Sequence, residues 1–113
     1  MKKIAFLALL VSLASGAFAH PRVKATIPED GALIAEVPAE ISFRFIRNTR
    51  LTRVEMIHSD QPSLQLDLGN QRSFDRTFTL PLQGMGAGTY RIEWRGLGID
   101  GHAMQGEFTF TVE

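Results

Sequence analysis

The chain has 113 residues, with 12 basic and 12 acidic side chains, three histidines and no cysteine. That length allows one small domain beside any leader, the charge balance argues against a nucleic-acid partner, and the lack of cysteine excludes both disulfide support and thiolate ligands. Any metal must be held by nitrogen, oxygen or thioether.

Met1-Lys2-Lys3 is a short basic start, Ile4 to Leu13 is almost unbroken apolar sequence, and Ala17-Phe18-Ala19 places alanines at the two positions read by signal peptidase. The pattern predicts a secretory signal peptide over 1–19, cleaved after Ala19. Its apolar run falls short of the roughly 20 residues of a membrane span, so no membrane anchor is expected. Residues 20–113 then form the mature domain, 94 residues opening on His20, with ten basic against twelve acidic side chains and a net charge of −2.

Val23 to Ile27 reads as a first strand, and Pro28-Glu29-Asp30-Gly31 as a turn in which proline fixes one dihedral and glycine is free to take positive φ. Glu40 to Phe45 alternates cleanly, with Ile41, Phe43 and Phe45 facing a core, and Leu51 to His58 is a further extended segment. Ser63 to Leu68 alternates through Leu64, Leu66 and Leu68. Ser73 to Leu80 does the same through Phe74, Phe78 and Leu80, with Arg76 as the exception on that face, and Pro81 ends it. Gly84, Gly86 and Gly88 form the next connection. Thr89 to Arg95 puts Tyr90, Ile92 and Trp94 on one face, and Phe108, Phe110 and Val112 alternate in a closing strand. About seven short strands with turn signals at intervals of roughly 8–12 residues predict an antiparallel β-sandwich with a single core and no convincing helix.

Between the last two strands lies a glycine-rich link holding Asp100-Gly101-His102. If the link is locally extended, both side chains project to one side, and a carboxylate and an imidazole on a rigid scaffold can serve as two arms of a metal site. The third arm is His20 at the mature amino terminus. Taken alone, Asp-Gly-His is an ordinary turn sequence; the histidine at the start of the mature chain is what raises it to a metal motif. His58, at a strand end, is expected to be solvated rather than metal-binding. Met104 is expected to pack at the core or its rim, with a weak soft contact to the site as the alternative. Arg44, Arg47, Arg50 and Arg53 form a basic stretch that reads as a solvated face, or as a dock for an acidic partner. Tyr90 and Trp94 are expected in the core.

An amino-terminal histidine after the leader, Pro28-Glu29-Asp30-Gly31, Tyr90-x-x-x-Trp94, Asp100-Gly101-His102 and Phe108-x-Phe110-x-Val112 together resemble the CopC family of periplasmic copper-resistance proteins, across the whole mature chain. The resemblance implies a seven-stranded Greek-key β-sandwich of cupredoxin-like or immunoglobulin-like type, and a Cu(II) site of His20, Asp100 and His102 with one ion per chain. It further implies a monomeric periplasmic protein that buffers copper, confers resistance or delivers the ion to an inner-membrane copper transporter. Two departures stand out. Ile46-Arg47 follows the Ile41 to Phe45 strand where family members often carry an acidic residue, and the methionine-rich loop of the archetypal members is missing, since the mature methionines are the scattered Met56, Met85 and Met104. Both favour a Cu(II)-only site.

The donor chemistry is consistent with copper. A free α-amine and the imidazole of the same residue can chelate one ion, and a second imidazole opposite completes three nitrogens in a plane, which suits tetragonal Cu(II). Asp100 can add an oxygen. Pro21 has no backbone N–H for copper to displace, so the chelate stops at residue 20. The reading is a binding protein and not an enzyme. Its alternatives are a copper redox enzyme of the histidine-brace, monooxygenase-like kind, against which Asp100 would fill a position that oxygen activation needs open, and a metal-free sandwich module for protein contacts.

Overall fold

In the computed structural model, residues 23–113 are described; the expected leader and His20 lie outside them. The described residues form seven strands and no helix: β1 (Val23–Ile27), β2 (Ala32–Ile34), β3 (Glu40–His58), β4 (Leu64–Gln65), β5 (Asp75–Pro81), β6 (Gly88–Gly98) and β7 (Ala103–Val112).

The two segments expected at Glu40–Phe45 and Leu51–His58 are one 19-residue strand. Its register with β5 shifts between Arg44 and Thr49, and this irregularity divides it. The first half pairs with β1 and β5, through Thr26↔Phe43 and Phe43↔Phe78. The second half pairs with β6 and β4, through Val54↔Trp94 and Met56↔Leu64. A strand that passes from one layer to the other joins all seven strands into one hydrogen-bonded sheet, in the order β1-β3-β6-β7-β2 with β4 and β5 branching from β3, while the side chains still pack as a two-layered β-sandwich. Phe43 on the first half meets Trp94 edge-on at 6.4 Å and Phe108 at 5.5 Å, and Phe45 meets Trp94 at 5.1 Å. Ile41, Phe43, Phe45, Tyr90, Ile92, Trp94, Phe108 and Phe110, all expected inside, are buried. Edge-to-face contacts of this kind add about 0.5–1.5 kcal/mol each beyond the area they bury.

Three expectations need correction. Not every pair is antiparallel: β2 runs parallel to β7 through Ala32↔Phe110 and Ile34↔Val112. The Pro28–Gly31 turn produces this by carrying the chain across to the edge of the other layer, where the Gly31 N–H donates to Thr109 O (2.6 Å) and the Thr109 N–H donates to Asp30 Oδ1 (2.9 Å). The strand expected over Ser63–Leu68 shrinks to Leu64–Gln65, with Leu66 buried but Leu64 exposed. There the chain turns away, as Asp67 Oδ1 accepts the Gly69 N–H at 2.8 Å, and the Gln71 side chain takes the place of a strand partner by bonding Leu68 O and both backbone groups of Thr79. Phe74, expected inside, is exposed because β5 begins only at Asp75, whose Oδ1 accepts the Arg76 N–H at the strand's start.

Candidate metal centre

The β6–β7 hairpin pairs without interruption from Gly88↔Val112 to Leu97↔Ala103, so the five residues Gly98–His102 are held on a rigid ladder. Within them the Gly101 N–H donates to Gly98 O (2.9 Å) and the Gly98 N–H donates to His102 O (2.8 Å). Gly101 lies at φ 87°. That is a β-turn closed by a glycine bulge, and the left-handed residue is where a side chain would be strained. The turn brings residues 100 and 102 together: Asp100 Oδ2 lies 2.9 Å from His102 Nδ1, and Asp100 Oδ1 accepts the His102 backbone N–H at 3.1 Å. The link is a tight turn rather than extended, yet the two side chains do meet, because the bulge folds the carboxylate back over the loop.

Gly98 makes room for that fold. A Cβ there would sit 2.8 Å from Asp100 Oδ1. In the sequence Gly98 is one glycine of the link among several; the signal for its particular role is the spacing Gly-x-Asp-Gly, which is a turn-and-bulge pattern in its own right.

Both side chains are open to solvent, 80% for His102 and 60% for Asp100. The hydrogen bond from the His102 side chain, followed by that from its backbone N–H, holds the Asp100 carboxyl below the ordinary carboxylate range. An ionised carboxylate only accepts, so the proton of this contact lies on His102 Nδ1. Two donors set cis on a metal at about 2.0 Å each would stand about 2.8 Å apart. The oxygen and nitrogen are therefore spaced to receive an ion in place of the shared proton. Among the described residues no group of three or more metal-binding side chains exists, so the described part of the site is this pair.

The other candidates are elsewhere. His58 pairs with Tyr90, at the far end of β6 from Gly98, roughly 26 Å away at the rise of an extended strand. It is not the solvated side chain expected from sequence. Half-buried, it bonds Ala87 O through Nε2 (2.8 Å) and packs on the Tyr90 ring at 4.7 Å. Met104 packs against the core, as expected. Met56 is buried opposite Ile92, Met104 lies opposite Gly96, and Met85 is exposed in the connection before β6, so these three thioethers do not converge.

Residues 23–113 match the family model of the CopC domain. The chain is 29% identical to a copper resistance protein C of Escherichia coli, over 93% of this chain and 90% of that one. It is 30% identical to one of Xanthomonas campestris pv. juglandis, over 90% and 87%. Among solved structures, the fold is similar to that of CopC from Methylosinus trichosporium OB3b, with a TM-score of 0.68 and 21% identity over 83% of this chain and 94% of that one. It is also similar to PcoC, a methionine-rich copper resistance protein from Escherichia coli, with a TM-score of 0.59 and 25% identity over 84% and 100%.

Proposed function

The chain belongs to the CopC family, and on that premise we propose that it is a periplasmic Cu(II)-binding protein holding one ion per chain through His20, Asp100 and His102. The observation that carries this reading is the Asp100–His102 pair, two donors preset 2.9 Å apart on a rigid hairpin. The course of the chain supports the third ligand. β1 enters at Val23 opposite Phe45, and β3 runs on from Phe45 to Thr49, the partner of Gly98. The first described strand thus leads back toward the end of the molecule that carries the loop. Three residue steps, with a reach of about 10 Å, lead from Val23 back to His20.

The amine and imidazole of His20 form a chelate, the His102 imidazole stands opposite, and Asp100 contributes an oxygen and offsets charge. With nitrogen and oxygen donors and no thiolate, the set favours Cu(II) over Zn(II) in the Irving–Williams order. The dispersed methionines offer nothing comparable for Cu(I). The leader over 1–19 exports the chain, cleavage after Ala19 exposes the His20 amine, and the protein buffers copper or passes it to an inner-membrane transporter.

Electron paramagnetic resonance of the Cu(II)-loaded exported protein tests the site. His102→Ala and a one-residue extension before His20 should each abolish the nitrogen-rich tetragonal signal, the second because it turns the amine into an amide, while Asp100→Asn should weaken binding less. Survival of that signal in both of the first two variants rules the site out. An intact mass that begins before or after His20 rules out the amine chelate.

A further inference from the structure

The β3 strand has a gap along one edge. On the side away from β6, β5 accompanies it as far as Thr49↔Asp75, and β4 resumes at Glu55↔Gln65, with one further bond from the Leu66 N–H to Val54 O. Between these points, Arg50 to Arg53 have no strand neighbour on that side. The gap opens into a cleft of about 490 Å³ whose walls are Arg50–Thr52 on β3 and the Gln65–Arg72 segment. Its apolar lining comes from Leu51, Leu66 and Leu68. The guanidinium side chains of Arg50 and Arg72 flank it, both on exposed residues.

The charge around this cleft is not balanced internally. Arg44, Arg47, Arg50 and Arg53 fall within ten residues that contain no acidic side chain. Among the described residues the arginine ion pairs are Arg53–Glu55 and Arg91–Glu93, so neither Arg50 nor Arg72 has a carboxylate within 4.0 Å. The nearby carboxylates are engaged with backbone: Asp67 with the Gly69 N–H and Asp75 with the Arg76 N–H.

We propose that this cleft binds an acidic peptide segment of a partner protein in extended conformation, seated along the open β3 edge with its carboxylates on Arg50 and Arg72. Four features favour this occupant. An open strand edge offers backbone pairing to a peptide, side chains at alternate positions of an added strand point the same way, and guanidinium groups match carboxylates in bidentate geometry. The site is also a concave slot, which a flat bilayer cannot enter. The Asp67 carboxylate on the same wall sets the register, since it repels an acidic side chain placed opposite it. Arg50 pairs with Leu97, directly before the Gly98–His102 loop, so a partner strand held here lies two strand spacings, about 10 Å, from that end of β6. The inference stands on the cleft and its charges and does not require the copper reading.

The test is fluorescence anisotropy with a fluorescein-labelled peptide of alternating Glu and Thr, compared with its Lys-Thr counterpart, in the purified protein without metal. The Glu peptide should bind, and more weakly as salt rises. The double variant Arg50→Gln/Arg72→Gln should lose at least about tenfold in affinity, whereas Arg91→Gln, toward the far end of β6, should not change it. Backbone ¹⁵N shifts of the unaltered protein should move at 50–53 and 65–72, which tests the location independently of how the variant folds. The proposal is overturned if the Glu peptide fails to bind, if the Lys peptide binds equally, if the double variant binds as before, or if the shifts fall elsewhere. It is likewise overturned if phosphatidylglycerol vesicles bind where the Glu peptide does not.

Discussion

Gly106→Ala probes the packing that holds the β6–β7 hairpin, and its cost can be worked from three distances. A Cβ at Gly106 would lie 2.8 Å from Trp94 Cζ2 and 2.9 Å from both Cε2 and Nε1, well inside van der Waals contact. The indole has little freedom to withdraw, since it is 4% exposed and lies edge-on against Phe43 and Phe45. Gly106 is not among the positive-φ glycines, so the cost is overpacking alone. Overpacking of a filled core costs about 1–3 kcal/mol, and replacing a strand glycine by alanine returns about 0.5–1 kcal/mol of backbone entropy. The middle of the two ranges leaves a net loss of about 1.2 kcal/mol, which for a domain of this size lowers the thermal midpoint by roughly 5–10 °C. Thermal and urea unfolding followed by circular dichroism and by Trp94 fluorescence give the value. Trp94→Phe removes the contacting atoms, so a double-mutant cycle should show Gly106→Ala costing less than about 0.5 kcal/mol in that background. An equal cost in both backgrounds, or none in either, refutes the reasoning.

Gly98→Ala should push the Asp100 carboxylate away from His102, raise its pKa toward the ordinary range, and weaken copper binding while leaving the fold intact; carboxyl ¹³C titration that finds the same pKa as in the parent protein contradicts this. Because folding lowers the Asp100 pKa, its favourable contribution is present above the unfolded carboxylate pKa and fades as pH falls through the folded one. The 2.9 Å contact with His102 should therefore be lost only in strong acid, which ring-proton shifts of His102 in the metal-free protein will show. Copper binding should fail at higher pH than that contact, since the amine and both imidazoles must shed protons to bind. Tyr90→Phe should cost about 1–2 kcal/mol, because the hydroxyl accepts the Met85 N–H (2.9 Å) and donates to Gly86 O (2.6 Å) in a buried setting. His58→Ala should reduce stability, measured by urea unfolding, without altering the copper signal.

The sequence by itself determined the all-β class, most of the core and the two side chains, Asp100 and His102, that meet in the last hairpin. Alternation is a local property: Ile41-Phe43-Phe45, Tyr90-Ile92-Trp94 and Phe108-Phe110-Val112 each state which face goes inside, because side chains in an extended chain can only alternate. The turn glycines bound the last hairpin, and the two side chains of metal-ligating type in its loop are Asp100 and His102. What the alternation could not say is where a strand passes from one layer to the other. The continuity of β3 through Ile46–Asn48 depends on which neighbours bond each half, and those neighbours lie tens of residues away. Leu64 and Phe74 were placed inside for the same reason, since an apolar residue in an alternating run is buried only if the chain stays in the sheet. The Gln71 side chain, bonded to Leu68 and Thr79, holds the chain out of it there. The parallel seat of β2, the 2.9 Å approach of Asp100 to His102 over a bare Gly98, and the open edge at Arg50–Arg53 were likewise decided only in three dimensions. Each is a relation between segments whose distance apart is set by packing and by hydrogen bonds that no local pattern encodes.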